Sequence, residues 1–252
     1  MPAVIPHRAA MATLIAGSLL APTAFAATAC LAQSPAAAAT VIELYTSEGC
    51  NSCPPADQWL SRVKARPGVV ALAFHVDYWD RLGWADRFGS PAHTQRQHAQ
   101  AALNGARFAY TPQVVVDGVD RKDWPVPASQ WLLSRRPVAP VALTLAWEGS
   151  ALSATVQAAP GAPSRLAAYW AVTENGHVSA VKAGENAGVT LKHDEVVREY
   201  VPVPAWAAQP GASVPLRFTP ATAPDAQHPR EVTLVVVDPA TGRPLQALKL
   251  GC

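Results

Sequence analysis

Cys50-Asn51-Ser52-Cys53 stands at the junction of two local patterns, and that position limits how the surrounding chain can fold. Before it, Thr40-Val41-Ile42-Glu43-Leu44-Tyr45 is a short β-branched and aromatic run with the character of a strand. Ser47-Glu48-Gly49 then turns the chain. After the second cysteine come Pro54 and Pro55, tolerated where first-turn N–H groups have no helical partner. The helix they open carries Ala56, Trp59, Leu60 and Val63 on one face, and Gly68 closes the segment. Val69 to Val76 is a near-continuous apolar run, as expected of a central strand covered on both faces.

This placement gives the cysteines a chemistry. A thiol reacts as its thiolate, and a sulfur set before a helix meets unpaired N–H groups and the positive end of the helix dipole. Cys50 is therefore the expected nucleophile. Cys53, about one turn on, is placed to resolve a mixed disulfide, and the exchange needs no cofactor. The partners of such a pair are protein or peptide thiols and disulfides. Two alternatives stand beside exchange: a binding module with a structural Cys50–Cys53 disulfide, and a metal site. Asp57 in the first helical turn reads as dipole support, while Glu48 opposes a Cys50 thiolate if its carboxylate approaches.

Further along, the aromatic loop Asp77 to Trp84 leads to Ser90-Pro91, which caps and opens a second helix ending near Asn104-Gly105. His93 and His98 are five apart there, poor joint ligands that read as surface residues. Thr111-Pro112 precedes a strand from Gln113, with the Asp117-Gly118 hairpin signal after it. Pro127 to Arg136 fits a last helix. From Pro140 the period becomes two: Val141, Leu143, Leu145 and Trp147, then Leu166, Ala168, Trp170 and Val172. Glu231 to Asp238 and Pro244 to Leu250 read as a terminal hairpin. In the polar segment Gly184 to Arg198, Asn186, His193, Asp194 and Arg198 either line a groove facing the dithiol or tie a loop between domains.

The order strand, Cys-x-x-Cys, helix, strand, helix, Thr-Pro, strand resembles the thioredoxin fold. More closely, ELYTSEGCNSCPPAD, AFHVDYWDRLGWADRF, YTPQVVVDG and GENAGVTLKHDEVVR are similar to a family of secreted bacterial proteins catalogued as number 1223 among the domains of unknown function. The resemblance implies an α/β thioredoxin-like domain followed by a β-rich, antiparallel sandwich-like one. It also implies a cis Pro112 facing the cysteines, with Thr111 offering its backbone to an extended peptide. His75 and Asp77, two apart on the predicted strand, share one face and read first as a hydrogen-bonded pair at the core edge. The alternative is Asp77 as proton acceptor for Cys53, as an acid under the thioredoxin dithiol is. A further alternative has His75 complete a Cys50-Cys53-His75 copper site, as in thioredoxin-like copper chaperones. The sequence departs from thioredoxins at Gly49, where they carry tryptophan, and no Lys or Arg adjoins Cys50.

The expected organisation is a signal peptide over 1–29, cleaved near 26 or 29, a lead-in over 30–39, the thioredoxin-like domain over 40–137 and the β-rich domain over 138–252. Arg8 and the short apolar stretch Met11 to Leu20 carry the first expectation, since ten residues do not span a bilayer. The mature chain is thus expected in the periplasm or secreted, without a transmembrane segment. Lipidation at Cys30 is the lesser alternative there, and pairing of Cys30 with Cys252 is open in an oxidising compartment. A formal charge of +2 over 252 residues, without a Lys/Arg cluster, excludes a nucleic-acid-binding protein. A 50% hydrophobic composition with eight tryptophans excludes a wholly disordered one.

Overall fold

A computed structural model describes residues 1–3, 30–125 and 136–252. The expected leader and the expected helix from Pro127 lie essentially outside these residues. The elements are β1 (Leu31–Gln33), β2 (Thr40–Thr46), α1 (Pro54–Val63), β3 (Val69–His75), a 3-10 turn (Asp80–Leu82), α2 (Pro91–Leu103), β4 (Gln113–Val116) and β5 (Val119–Asp120). They continue as β6 (Val141–Glu148), β7 (Ala151–Ala158), β8 (Arg165–Glu174), β9 (His177–Ala180), β10 (Thr190–His193), β11 (Val196–Ala207), β12 (Ser213–Phe218), β13 (Arg230–Val237) and β14 (Pro244–Leu250).

One eight-stranded sheet, in the order β14-β13-β8-β11-β3-β2-β4-β5, joins the two halves of the chain. β2 and β3 run parallel, while β4 returns antiparallel to β2. The halves meet where Val196 of β11 pairs in parallel with Ala73 of β3. There the Ala73 N–H donates to the Glu195 carbonyl at 2.8 Å. A four-stranded sheet, β1-β6-β7-β12, and the β9-β10 hairpin complete the strands.

Alternation along the strands builds three cores. Ile42 and Leu44 of β2, with Val69, Ala71 and Ala73 of β3, pack against Trp59, Leu60 and Val63 of α1. The opposite face of the same strands (Val41, Tyr45, Val70, Leu72, Phe74) shares a core with Tyr169, Ala171 and Val235 of β8 and β13. The far face of β8 and β13, including Trp170, Val172, Val232 and Leu234, then packs on Leu143, Leu145, Leu152 and Val156 of the four-stranded sheet.

This architecture corrects the expected fold. The molecule is predominantly β, with two α-helices among the described residues, and is not an α/β thioredoxin-like domain followed by a β-rich one. The local elements around the cysteines stand where the pattern set them. The edge of β3, however, is taken by β11, and the face of β2 and β3 turned from α1 is filled largely by strands from the second half. At the termini, Cys30 and Cys252 form a disulfide.

Candidate functional site

β2 delivers the chain into a tight turn in which the Cys50 N–H donates to the Ser47 carbonyl at 3.1 Å. Cys53 is the N-cap of α1, and its carbonyl accepts from Ala56 and Asp57 at 2.8 and 3.2 Å. The two cysteines are joined as a disulfide with their Cα atoms 5.4 Å apart. Both are wholly buried, whereas Asn51 and Ser52 between them are exposed. Gly49 is glycine for a steric reason: a Cβ there would lie 3.0 Å from Cβ of Trp79.

Two segments cover the pair. The Trp79 indole N–H donates to Thr111 Oγ1 at 2.8 Å, so Thr111 reaches the cysteine turn through Trp79. The Thr111-Pro112 bond is cis, and both residues are half-buried. From the Gly184–Arg198 segment, buried Asn186 donates through Nδ2 to the carbonyls of Glu48 (2.9 Å) and Cys50 (3.0 Å). Glu185 Oε2 accepts from the Asn51 N–H at 3.2 Å. This segment clamps the turn that holds the cysteines.

Behind α1 lies a buried cluster of charge. His193 of β10 sits between two carboxylates, with Nε2 3.6 Å from Glu48 Oε1 and Nδ1 3.5 Å from Asp57 Oδ1. Burial alone would depress the His193 pKa, but Asp57 and Glu48 outweigh it and raise it to about 9, so this histidine is an imidazolium at neutral pH. Burial pushes the Glu48 carboxyl up. The nearby His193 and Ser179, with the hydrogen bond from the Trp84 indole (2.7 Å), prevail and hold it below its ordinary value. Asp57 also accepts from Thr46 Oγ1 at 2.8 Å.

His75 ends β3 with its ring centroid 4.9 Å from that of His193. Its Nδ1 lies 2.7 Å from Asp86 Oδ2. Asp86 also accepts from the N–H groups of Glu48 (2.8 Å) and Phe88 (2.9 Å). Burial opposes ionisation of Asp86, but the charge and hydrogen bond of His75, with these two N–H groups, bring its pKa down to about 2.

Several expected site residues stand elsewhere. Asp77 lies past the end of β3, so the two-residue alternation linking it to His75 stops short. Its carboxylate accepts from Thr94 Oγ1 at 2.6 Å instead. Asp57, read as dipole support, is buried against His193. His93, read as a surface residue, is buried with Nδ1 3.0 Å from the His75 carbonyl, and burial takes its pKa down to about 4. His98 is exposed. Of the expected Cys50-Cys53-His75 set, the two sulfurs are bonded to each other here and His75 Nδ1 lies against Asp86. Asp86 escaped the sequence reading altogether. Beyond Phe88, a separate groove holds Arg87, Glu174, His177, Arg198 and His228. There His177 Nε2 lies 3.0 Å from Glu174, which also pairs with Arg198.

A family model described as Protein of unknown function (DUF1223) matches residues 41–238. This chain belongs to the DUF1223 family. The match runs through every residue of the cysteine turn, its clamp and the buried cluster. Among solved structures, the X-ray crystal structure of protein AGR_C_4864 from Agrobacterium tumefaciens is similar. It has 25% identity and a TM-score of 0.61, covering 86% of this chain and 96% of that one. HBP35 of Porphyromonas gingivalis is similar in fold, at 16% identity and a TM-score of 0.64 over 86% of this chain and 76% of that one. No curated protein matches this DUF1223 chain. No described helix is long and apolar enough to cross a membrane.

Proposed function

We propose that this DUF1223 protein performs thiol–disulfide exchange through Cys50 and Cys53 in an exported compartment. The observation that carries the reading is the Cys50–Cys53 disulfide at the N-terminus of α1, with an imidazolium–carboxylate cluster buried against the same helix. A partner thiolate attacks Cys50 Sγ, the Cys50–Cys53 bond breaks, and Cys53 leaves as a thiolate at the helix end. The partner's second thiolate then displaces Cys50, so the partner becomes a disulfide and two electrons enter the pair. Asp57 follows Cys53 by four residues and so shares its helix face, and His193 beside it carries a proton at neutral pH. These groups are placed to manage the proton that Cys53 takes up. Thr111 and Pro112 offer the partner backbone an edge.

The burial of both cysteines and the Asn186 clamp favour a second reading, in which the disulfide is structural and the molecule is a binding module. Equilibration of the oxidised chain with glutathione couples, read by alkylation and peptide mass spectrometry, separates the two. Exchange predicts a potential within the glutathione range and loss of peptide-disulfide exchange in Cys50→Ser. A potential below about −300 mV, the region of structural disulfides, would sink the exchange reading.

A further inference from the structure

We infer that Asp57, His75 and His193 form a buried site for one divalent transition-metal ion of zinc's class. This goes beyond the exchange reading and uses neither cysteine. One ligand atom from each of the three residues lies within 4.8 Å of the other two, and all three residues are buried. Four-coordinate zinc makes bonds of about 2.0–2.1 Å to nitrogen and oxygen, which puts donors roughly 3.4 Å apart. The Asp57 Oδ1 to His193 Nδ1 separation is 3.5 Å, too long for a good hydrogen bond and near that tetrahedral edge.

The outer partners point the same way. A histidine that binds a metal through one nitrogen commonly donates its other N–H to a carboxylate, which fixes the ring and its tautomer. His75 does so: Nδ1 meets Asp86 at 2.7 Å, which leaves Nε2 buried without a hydrogen-bond partner. His193 repeats the arrangement, with Nε2 facing Glu48 while Nδ1 faces Asp57, and neither nitrogen has a hydrogen bond in normal geometry. Each imidazole is thus backed by its own carboxylate, His193 turns Nδ1 to Asp57 at 3.5 Å, and a ring nitrogen of His75 lies within 4.8 Å of both. Charge favours the same occupant. Glu48, Asp57 and Asp86 are buried together, and among the described residues no Lys or Arg forms an ion pair with any of them. Their charged neighbours are histidines, and a divalent cation in place of the His193 Nδ1 proton brings one more positive charge to the three carboxylates. Two histidines and one carboxylate leave a fourth position open, as in zinc sites that keep a water or a substrate.

The test uses the full chain with its disulfides intact. It is unfolded, refolded in Zn2+ or Co2+, desalted, and analysed for metal content, thermal stability and the visible spectrum of Co2+. One ion per chain, a four-coordinate Co2+ spectrum and a higher Tm with Zn2+ are expected. His75→Ala and His193→Ala should each abolish uptake. Asp86→Asn keeps all three ligands and should weaken affinity 10–100-fold, the usual cost of losing an outer partner. Cys50→Ser/Cys53→Ser should keep the stoichiometry. Absence of stoichiometric uptake by the folded wild-type chain overturns the site, whatever the variants do. Uptake kept in His75→Ala, or lost in a folded cysteine variant, overturns it as well. Because the disulfide stays closed throughout, these outcomes are independent of whether Cys50 exchanges.

Discussion

At the scale of single residues, His193 shows what burial does when two carboxylates come with it. Its pKa stands near 9 in the folded chain against about 6.5 in an unfolded one. A raised histidine pKa stabilises fully below the unfolded value, and that contribution is lost as pH climbs through the folded one. The apo chain should therefore lose on the order of 3 kcal/mol between pH 6.5 and 9, and His193→Gln should flatten that limb in urea melts at stepped pH. His93 and Asp86 act at the other end. With folded pKa values near 4 and 2, below their ordinary ones, they withdraw stability as pH falls from 6.5 through 4 and from 3.8 toward 2. Asn186 offers a second test at this scale. Asn186→Ala leaves the buried Glu48 and Cys50 carbonyls without their amide donor and should cost about 1–3 kcal/mol. Dithiothreitol should reduce Cys50–Cys53 faster in that variant; an unchanged rate would show that Asn186 does not gate access. The cysteine pair and the Ser90 cap were legible because their signals are local. Ser90 Oγ accepts from the Ala92 N–H at 3.2 Å. Asp57 and His193 were not read together, since a carboxylate in a first helical turn has a sufficient local explanation and its partner lies on a distant hairpin.

At the scale of elements, the second helix shows how an inward face that is polar finds its contacts. α2 buries His93, Gln97, Gln100 and Ala101, so its inward face is mostly polar. That face is tied by hydrogen bonds: Gln97 Nε2 donates to the Tyr110 carbonyl at 2.8 Å and to Gln113 Oε1 at 3.1 Å. Arg96 of the same helix pairs with Glu43 in the middle of β2, and its guanidinium lies 4.0 Å from the ring centre of Tyr169. Tyr45 and Tyr169 donate to the same carboxylate at 2.8 and 2.5 Å, and burial followed by the Glu43 charge raises both phenol pKa values. Glu43 thus joins β2, β8 and α2 across the two halves, although in sequence it is one acid inside a strand-like run. Removing one partner of such a pair strands a buried charge. Arg96→Met should cost about 3–5 kcal/mol by chemical denaturation, and Glu43→Leu/Arg96→Met much less than the sum of its singles. Additive losses in that cycle would show that the two groups are energetically independent.

At the scale of the whole molecule, the texture of the chain changes at Pro140, and the eight-stranded sheet takes strands from both sides of that point. The join rests on a single parallel pair, Val196 with Ala73. Neither the near-continuous apolar run of β3 nor the periodicity of β11 announces a partner more than a hundred residues away. Strand period tells which side chains share a face, and here it does so for β2, β3, β8 and β13. It does not tell which edges meet. The same long-range closure is repeated covalently at the ends. Cys30 precedes β1 of the four-stranded sheet and Cys252 follows β14 at the edge of the eight-stranded one, so their disulfide staples the two sheets across a separation of 222 residues. In the chain-entropy view, a loop of that length restricts the unfolded state by about 5 kcal/mol, whereas the three-residue loop of Cys50–Cys53 accounts for less than about 2 kcal/mol. Cys30→Ala/Cys252→Ala should therefore lower unfolding free energy more than Cys50→Ala/Cys53→Ala in non-reducing urea titrations. The reverse order would mean that the cysteine pair at α1 holds the fold together, and with it the structural reading of that disulfide would gain over exchange.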